Sequence, residues 1–254
     1  FFTWLLVRDL TGSRWAALIA GALFAFSGYL TGYPPLQLAV LRTAIWLPLI
    51  LWLLLRGFAA PTQWRWWIGG GAVLAVAFLG GHAQTFLFAL YTVAAWIVLL
   101  IAWRGRILRG KGTVGDGNPR HSIAAVVLGL LAFGVVAAGL GAAQALPSLE
   151  FTQLSVRASV DFDFVSGGFP LQDSWQLLLP GVLTQYSPLY IGVVGLGLAW
   201  IGACSVLRDR QTPATDATRN TQHAVLLGRV YGVLFFAALA MLALLLAYGA
   251  NSFL

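Results

Sequence analysis

Of the 254 residues, 59% are hydrophobic and only 9% charged, with a mean hydropathy of +0.84. A soluble domain carries about 25% charged residues, so composition excludes a water-soluble globular domain and indicates an integral membrane protein. The formal charge of +7 comes from basic residues clustered in short loops between apolar runs, a distribution that sets topology and argues against a nucleic-acid partner. With Cys204 as the single cysteine, an intrachain disulfide is excluded.

The chain opens Phe1-Phe2-Thr3-Trp4-Leu5-Leu6-Val7, without an initiator methionine or a basic leader. A bilayer core takes about 20 residues to cross, so this piece reads as the tail of a helix that begins upstream. The far end, Tyr248–Leu254, stops just after a helix. The expectation is a single transmembrane domain over 1–254, truncated at both ends.

After the polar loop Arg8–Arg14, the first complete span is Trp15–Tyr33. Ala17, Gly21 and Ala25 recur along it every four residues, a small-residue face suited to close helix approach. Pro34-Pro35 ends it. The second span, about Leu36–Leu55, carries Arg42 near its outer end and Pro48 as an expected kink. Trp64, Trp66 and Trp67 in the following loop suggest an interfacial aromatic belt.

Two further spans, Trp66–Leu79 and Thr85–Trp103, flank Gly80-Gly81-His82-Ala83-Gln84. The loop Arg104–His121 is basic and glycine-rich, and flexibility is expected there. Ser122–Leu146 spans next and stops at Pro147. The longest non-spanning segment, 148–188, follows, and Leu189–Leu207 and Val230–Tyr248 are the last two spans. The fold expected is therefore all-α and polytopic, with seven complete transmembrane helices plus the N-terminal helix tail.

Alternating the loops between sides places thirteen of the fifteen basic residues on one side and only Arg42 and Arg157 on the other. The positive-inside rule then makes the Gly80–Gln84 turn, the Tyr33–Arg42 region and segment 148–188 extracytoplasmic.

On that outer side, His82 reads either as a donor or acid/base group near neutral pH, or as a polar turn residue with Gln84 capping backbone groups freed by Gly80-Gly81. Arg42 suits an anionic headgroup or phosphate, or pairing with Glu150. Glu150 and Arg157 are expected about two turns apart on one face of a continuation of the preceding helix. Asp161 and Asp163 alternate with apolar residues in a short extended piece, so both lie on one side. They offer oxygen ligands to a divalent cation, although a solvated loop is the preferred reading and no metal site is assigned. Asp173-Ser174 is expected to cap a short helix through about Leu179, with Trp175 and the leucines in the interface.

Several short motifs recur in a telling order. They are Ser13-Arg14-Trp15-Ala16-Ala17, Phe24-Ala25-Phe26-Ser27-Gly28-Tyr29, Trp46-Leu47-Pro48-Leu49, Gly81-His82-Ala83-Gln84, Gln144-Ala145-Leu146-Pro147-Ser148-Leu149-Glu150, Ser155-Val156-Arg157, Leu179-Pro180 and Tyr190-Ile191-Gly192. Together they resemble the YfhO-like bacterial membrane proteins, related to the GT-C class of polytopic glycosyltransferases, over nearly the whole chain. The resemblance implies a GT-C-like fold in the bacterial cytoplasmic membrane. It also implies transfer of a sugar from a polyprenyl-phosphate donor to an extracytoplasmic acceptor such as an envelope polymer.

The key aspartate of such enzymes belongs to a first outer loop upstream of this sequence, so no catalytic residue is named here. Arg157, Arg42 and His82 become candidates for contact with the lipid phosphate, with Gln84 beside them and Glu150 orienting one of them. The chain departs from the pattern at Tyr33-Pro34-Pro35, where relatives often carry a histidine. Two other functions stay open: a transporter or lipid flippase, and a non-catalytic membrane scaffold of the same fold.

Overall fold

The computed structural model describes residues 1–32, 38–110, 119–154, 170–181, 189–209 and 232–245. The described residues are mostly helical, with no strand among them. They form α1 (Phe2–Thr11), α2 (Arg14–Ala25), α3 (Gly28–Thr31), α4 (Leu38–Ala44), α5 (Leu47–Ala59), α6 (Trp64–Leu79), α7 (Ala83–Gly110) and α8 (Pro119–Leu154). A 3-10 helix over Leu171–Leu177, α9 (Val193–Asp209) and α10 (Gly232–Leu245) complete the set.

Among the described residues, three stretches are long and apolar enough to cross a membrane: Leu38–Ala59, Ala83–Trp103 and Ile123–Leu154. The other four expected spans fall on shorter apolar helices, Arg14–Ala25, Trp64–Leu79, Val193–Ser205 and Gly232–Leu245.

The differences from expectation have local causes. The first span is broken after Ala25: Ser27 donates its hydroxyl to the Phe24 carbonyl at 2.9 Å, and the chain restarts as the single turn α3. The kink expected at Pro48 takes the form of a two-residue interruption, Ile45-Trp46, between α4 and α5 within the Leu38–Ala59 stretch. Pro48 sits in the first turn of α5 and has no N–H to offer the carbonyl of Ala44, where α4 ends. Conversely, Pro147 does not end its helix, and α8 runs through it to Leu154. Arg104–Gly110 and Pro119–His121, expected as loop, are helical ends of α7 and α8. The flexible loop expected between them lies outside the described residues, as do Arg157, Asp161 and Asp163.

The chain divides into two compact units, residues 1–6 with 37–151 and residues 7–36 with 152–254. In the second, Ser13 caps α2 by accepting the Ala16 N–H at 3.2 Å. The Gly28 N–H donates to the Tyr190 carbonyl at 2.7 Å, and Leu23 closes on the space a Cβ at Gly195 would enter.

The first unit is built around α5, α6, α7 and α8. Trp67 of α6 is fully buried, so it belongs to the core and not to an aromatic belt. A Cβ on Gly57 of α5 would stand 3.0 Å from its ring, and one on Gly129 of α8 would overlap it. Its indole N–H donates to the Pro61 carbonyl at 3.0 Å, and Phe58 tilts against it with ring centroids 5.4 Å apart. Gly70 and Gly71 similarly admit Phe133 and the backbone of α8. Trp96 of α7, also fully buried, donates its indole N–H to the Leu51 carbonyl of α5 at 3.0 Å.

The indole Trp66 remains half-buried at the start of α6. Guanidinium carbons of Arg56 and Arg65 lie 5.2 and 4.6 Å from its ring, and its N–H donates to Gln63 at 2.9 Å. Such cation–π stacking suits an interfacial anchor.

Replacing Trp67 by alanine is expected to destabilise the first unit by roughly 3 kcal/mol through the cavity left behind. Gly129→Leu should prevent folding, because the added side chain enters the volume of the ring. Chemical unfolding in detergent micelles measures both; a Gly129→Leu protein as stable as the parent would refute this packing.

Candidate functional site: the turn between the sixth and seventh helices

The turn follows from its glycines. Gly80 caps α6, its N–H directed at the carbonyls of Val76 and Ala77 at 3.1 and 3.2 Å. Gly81 has φ +87°, a conformation L side chains rarely adopt. His82 then starts α7: its ring Nδ1 accepts the Thr85 N–H at 3.1 Å, while its carbonyl accepts the Phe86 N–H at 3.0 Å. His82 therefore acts as the N-cap of α7. The cap expected from Gln84 comes from His82 instead; Gln84 is exposed in the first turn of α7. The N–H groups of Ala83 and Gln84 make no bond among the described residues. They are the donors a helix N-terminus leaves over.

Close approach seats this turn on α4. A Cβ at Gly80 would meet the Thr43 hydroxyl oxygen at 2.6 Å and the Thr43 backbone nitrogen at 3.0 Å. Thr43 is fully buried, and its hydroxyl has no hydrogen-bond partner. The register follows from helix lengths. Gly80 stands sixteen residues from Trp64 along α6, and Thr43 sixteen from Ala59 along α4 and α5. The turn thus meets α4 five residues, roughly 7 Å of helix, inside its Leu38 end.

Arg42 is adjacent to Thr43, exposed, and makes no ion pair among the described residues. The structure thus sets the turn that carries His82 and Gln84 against Thr43, the residue after Arg42. It does not pair Arg42 with Glu150. Gly141 of α8 lies level with Phe78 of α6, with a Cβ there 3.5 Å from the ring. Glu150 is nine residues further on, about 13 Å along the helix axis, where it is exposed.

Two buried polar residues, Asp173 and Gln176, are not legible as buried in the sequence, where Asp173 reads as a helix cap. Asp173 and Gln176 are buried, at 7% and 1% exposure. Asp173 lies inside the 3-10 helix Leu171–Leu177, which starts from Pro170, whose carbonyl accepts the Asp173 N–H at 2.9 Å. The expected interfacial Trp175 is 61% exposed. The readable signal was the spacing of three between Asp173 and Gln176, which puts them on one face of a 3-10 turn.

Among the described residues no group of three His, Cys, Asp or Glu side chains gathers to hold a metal ion. No family model matches the chain, and neither a curated protein nor a solved structure matches it.

Capping by His82 makes a graded prediction. His82→Asn, which keeps a capping acceptor, should retain parental stability, whereas His82→Ala should lose about 1 kcal/mol. Gly80→Ala should destabilise the hairpin, and adding Thr43→Ala should not restore it, because Ala77 O and Thr43 N also obstruct the new methyl group. Thr43→Val alone should be neutral or stabilising, since it removes a buried hydroxyl without a partner. Denaturant midpoints of the purified variants decide each case.

Proposed function

We propose that all seven apolar helices cross the bacterial cytoplasmic membrane, as in a GT-C-like fold. The proposed activity is transfer of a sugar from a polyprenyl-phosphate donor to an extracytoplasmic envelope acceptor. The observation that supports this most is the position of Arg42. Arg42, exposed and in no ion pair among the described residues, directly precedes Thr43, against which the turn ahead of α7 closes. A guanidinium and a helix N-terminus together suit a phosphate.

In this reading the Arg42 guanidinium and the N–H groups of Ala83 and Gln84 hold the lipid phosphate. His82 fixes the position of the helix end and is a positioning residue. Glu150 and Arg157 belong to the outer continuation of α8 and the segment beyond it. Asp161 and Asp163 remain candidate carboxylates of that segment, for a divalent cation or for the acceptor. The base that activates the acceptor hydroxyl is assigned to sequence upstream. The resemblance to YfhO-like proteins and Arg42 on the outer side both favour this function over a transporter, whose coupling-ion site would require charge near the span centres.

A deletion strain should lack one glycosyl constituent of its envelope polymers, and the parental gene should restore it. Arg42→Gln, present in the membrane at parental level, should restore less than about a tenth of it, in line with loss of a charge-assisted phosphate contact. An unchanged glycan composition in the deletion strain overturns the proposal. The orientation is tested in a Cys204→Ser background: a membrane-impermeant thiol reagent added outside should label Gln84→Cys and spare Thr62→Cys.

A further inference from the structure

At the connection between α5 and α6, two arginines crowd one indole. The guanidinium carbons of Arg56 and Arg65 lie 5.2 and 4.6 Å from the centre of the Trp66 ring, which puts them within about 10 Å of each other. Arg56, four residues after Trp52 on α5, also lies 5.9 Å from the Trp52 ring. Trp52 in turn meets Trp66 edge-on, with ring centroids 5.6 Å apart. Gln63 completes the clamp: its side-chain oxygen accepts the Arg65 Nη2–H and the Trp66 indole N–H, each at 2.9 Å. Both arginines are exposed.

The stretch of chain around this pair carries no carboxylate. The sequence holds no aspartate or glutamate between Asp9 and Asp116. Asp9 belongs to the other unit, where it pairs with Arg8 at 2.8 Å. Among the described residues of the first unit the one acid is Glu150. It lies twenty-one residues along α8 from Gly129, which packs on the neighbouring Trp67 ring, about 32 Å of helix axis away. Stacking on an indole face draws guanidiniums together but leaves their charges in place. It also consumes none of the five N–H donors that each guanidinium carries.

We propose that Arg56 and Arg65, held by Trp52, Trp66 and Gln63, bind the headgroup phosphate of an anionic phospholipid. The planar fork of a guanidinium matches two phosphate oxygens at once, and a side chain already fixed by stacking loses less freedom on binding. Trp66 and the exposed Trp64 set the depth, since indoles settle at the headgroup layer. Two cations in one spot favour a headgroup of net negative charge over a zwitterionic one, whose own ammonium group they repel. The site lies at the opposite end of α6 from the Gly80 turn, about 24 Å of helix axis away. It therefore does not rest on the glycosyltransferase reading.

The test is native mass spectrometry of the full chain, delipidated in a non-ionic detergent and titrated with dioleoyl phosphatidylglycerol or dioleoyl phosphatidylcholine. Phosphatidylglycerol should bind at least about tenfold more tightly, as two arginines beside an anionic headgroup predict. Arg56→Gln combined with Arg65→Gln should bring the two lipids to within about twofold of each other. The melting temperature should stay parental, because both side chains are exposed. Arg104→Gln combined with Arg106→Gln removes the same charge elsewhere and should keep the preference. Arg56→Lys combined with Arg65→Lys keeps both charges but loses the planar stacking, and should weaken phosphatidylglycerol at least about threefold.

Equal binding of the two lipids by the parent overturns the proposal, as does a parental preference in the glutamine pair. Should the glutamine pair melt lower than the parent, the lysine pair decides: parental affinity there overturns the proposal. A loss in the Arg104 and Arg106 variant as large as in the Arg56 and Arg65 variant also overturns it, because net charge alone then attracts the lipid. Glycerol 1-phosphate competing as tightly as the lipid makes the ligand a soluble phosphate and overturns it equally.

Discussion

Trp67 occupies space that only glycine leaves open, with Gly57 of α5 on one side and Gly129 of α8 on the other. Helices in a bilayer gain little from burying apolar surface against each other, because lipid tails are as apolar as leucine. Their association depends on close fit and on satisfying polar atoms. The Trp67 ring does both, since it spaces α5, α6 and α8 and gives its N–H to Pro61 in the loop between α5 and α6. Trp96 repeats the device across helices, joining α7 to a carbonyl of α5. The remaining contacts of the first unit follow from where these two rings hold the backbones.

The position of the candidate phosphate site is a consequence of that spacing. Because α6 packs antiparallel to α5 and has only sixteen residues, its end cannot reach the level of Leu38. It stops at Thr43, where only glycine allows the turn to close. The turn ahead of α7 therefore meets α4 at Thr43, the residue after Arg42. His82 contributes by ending the turn in a defined way. A histidine that accepts a backbone N–H holds the helix end in place whether or not it also touches a ligand.

The second unit shows a different economy. Its 3-10 helix turns leucines and a tryptophan outward and keeps a carboxylate and a carboxamide inside.

The sequence by itself determined the class of protein, the order of its seven apolar helices and the place of the hairpin. Each depends on composition and on the distance between charges and prolines, which are local properties. It also located the polar turn at Gly80–Gln84 and set Arg42 apart as one of two basic residues off the majority side. It did not determine that Trp67 is core, that His82 caps a helix or that Arg42 and Glu150 form no ion pair. A proline ended α4 by removing a bond to Ala44, yet another proline, Pro147, sits inside α8. The sequence offered no rule to separate the two, because the outcome depends on how neighbouring helices support the freed carbonyl. Asp173 was legible as an acid but not as a buried one. Burial is decided by which face the rest of the fold covers, and only the tertiary structure supplies that.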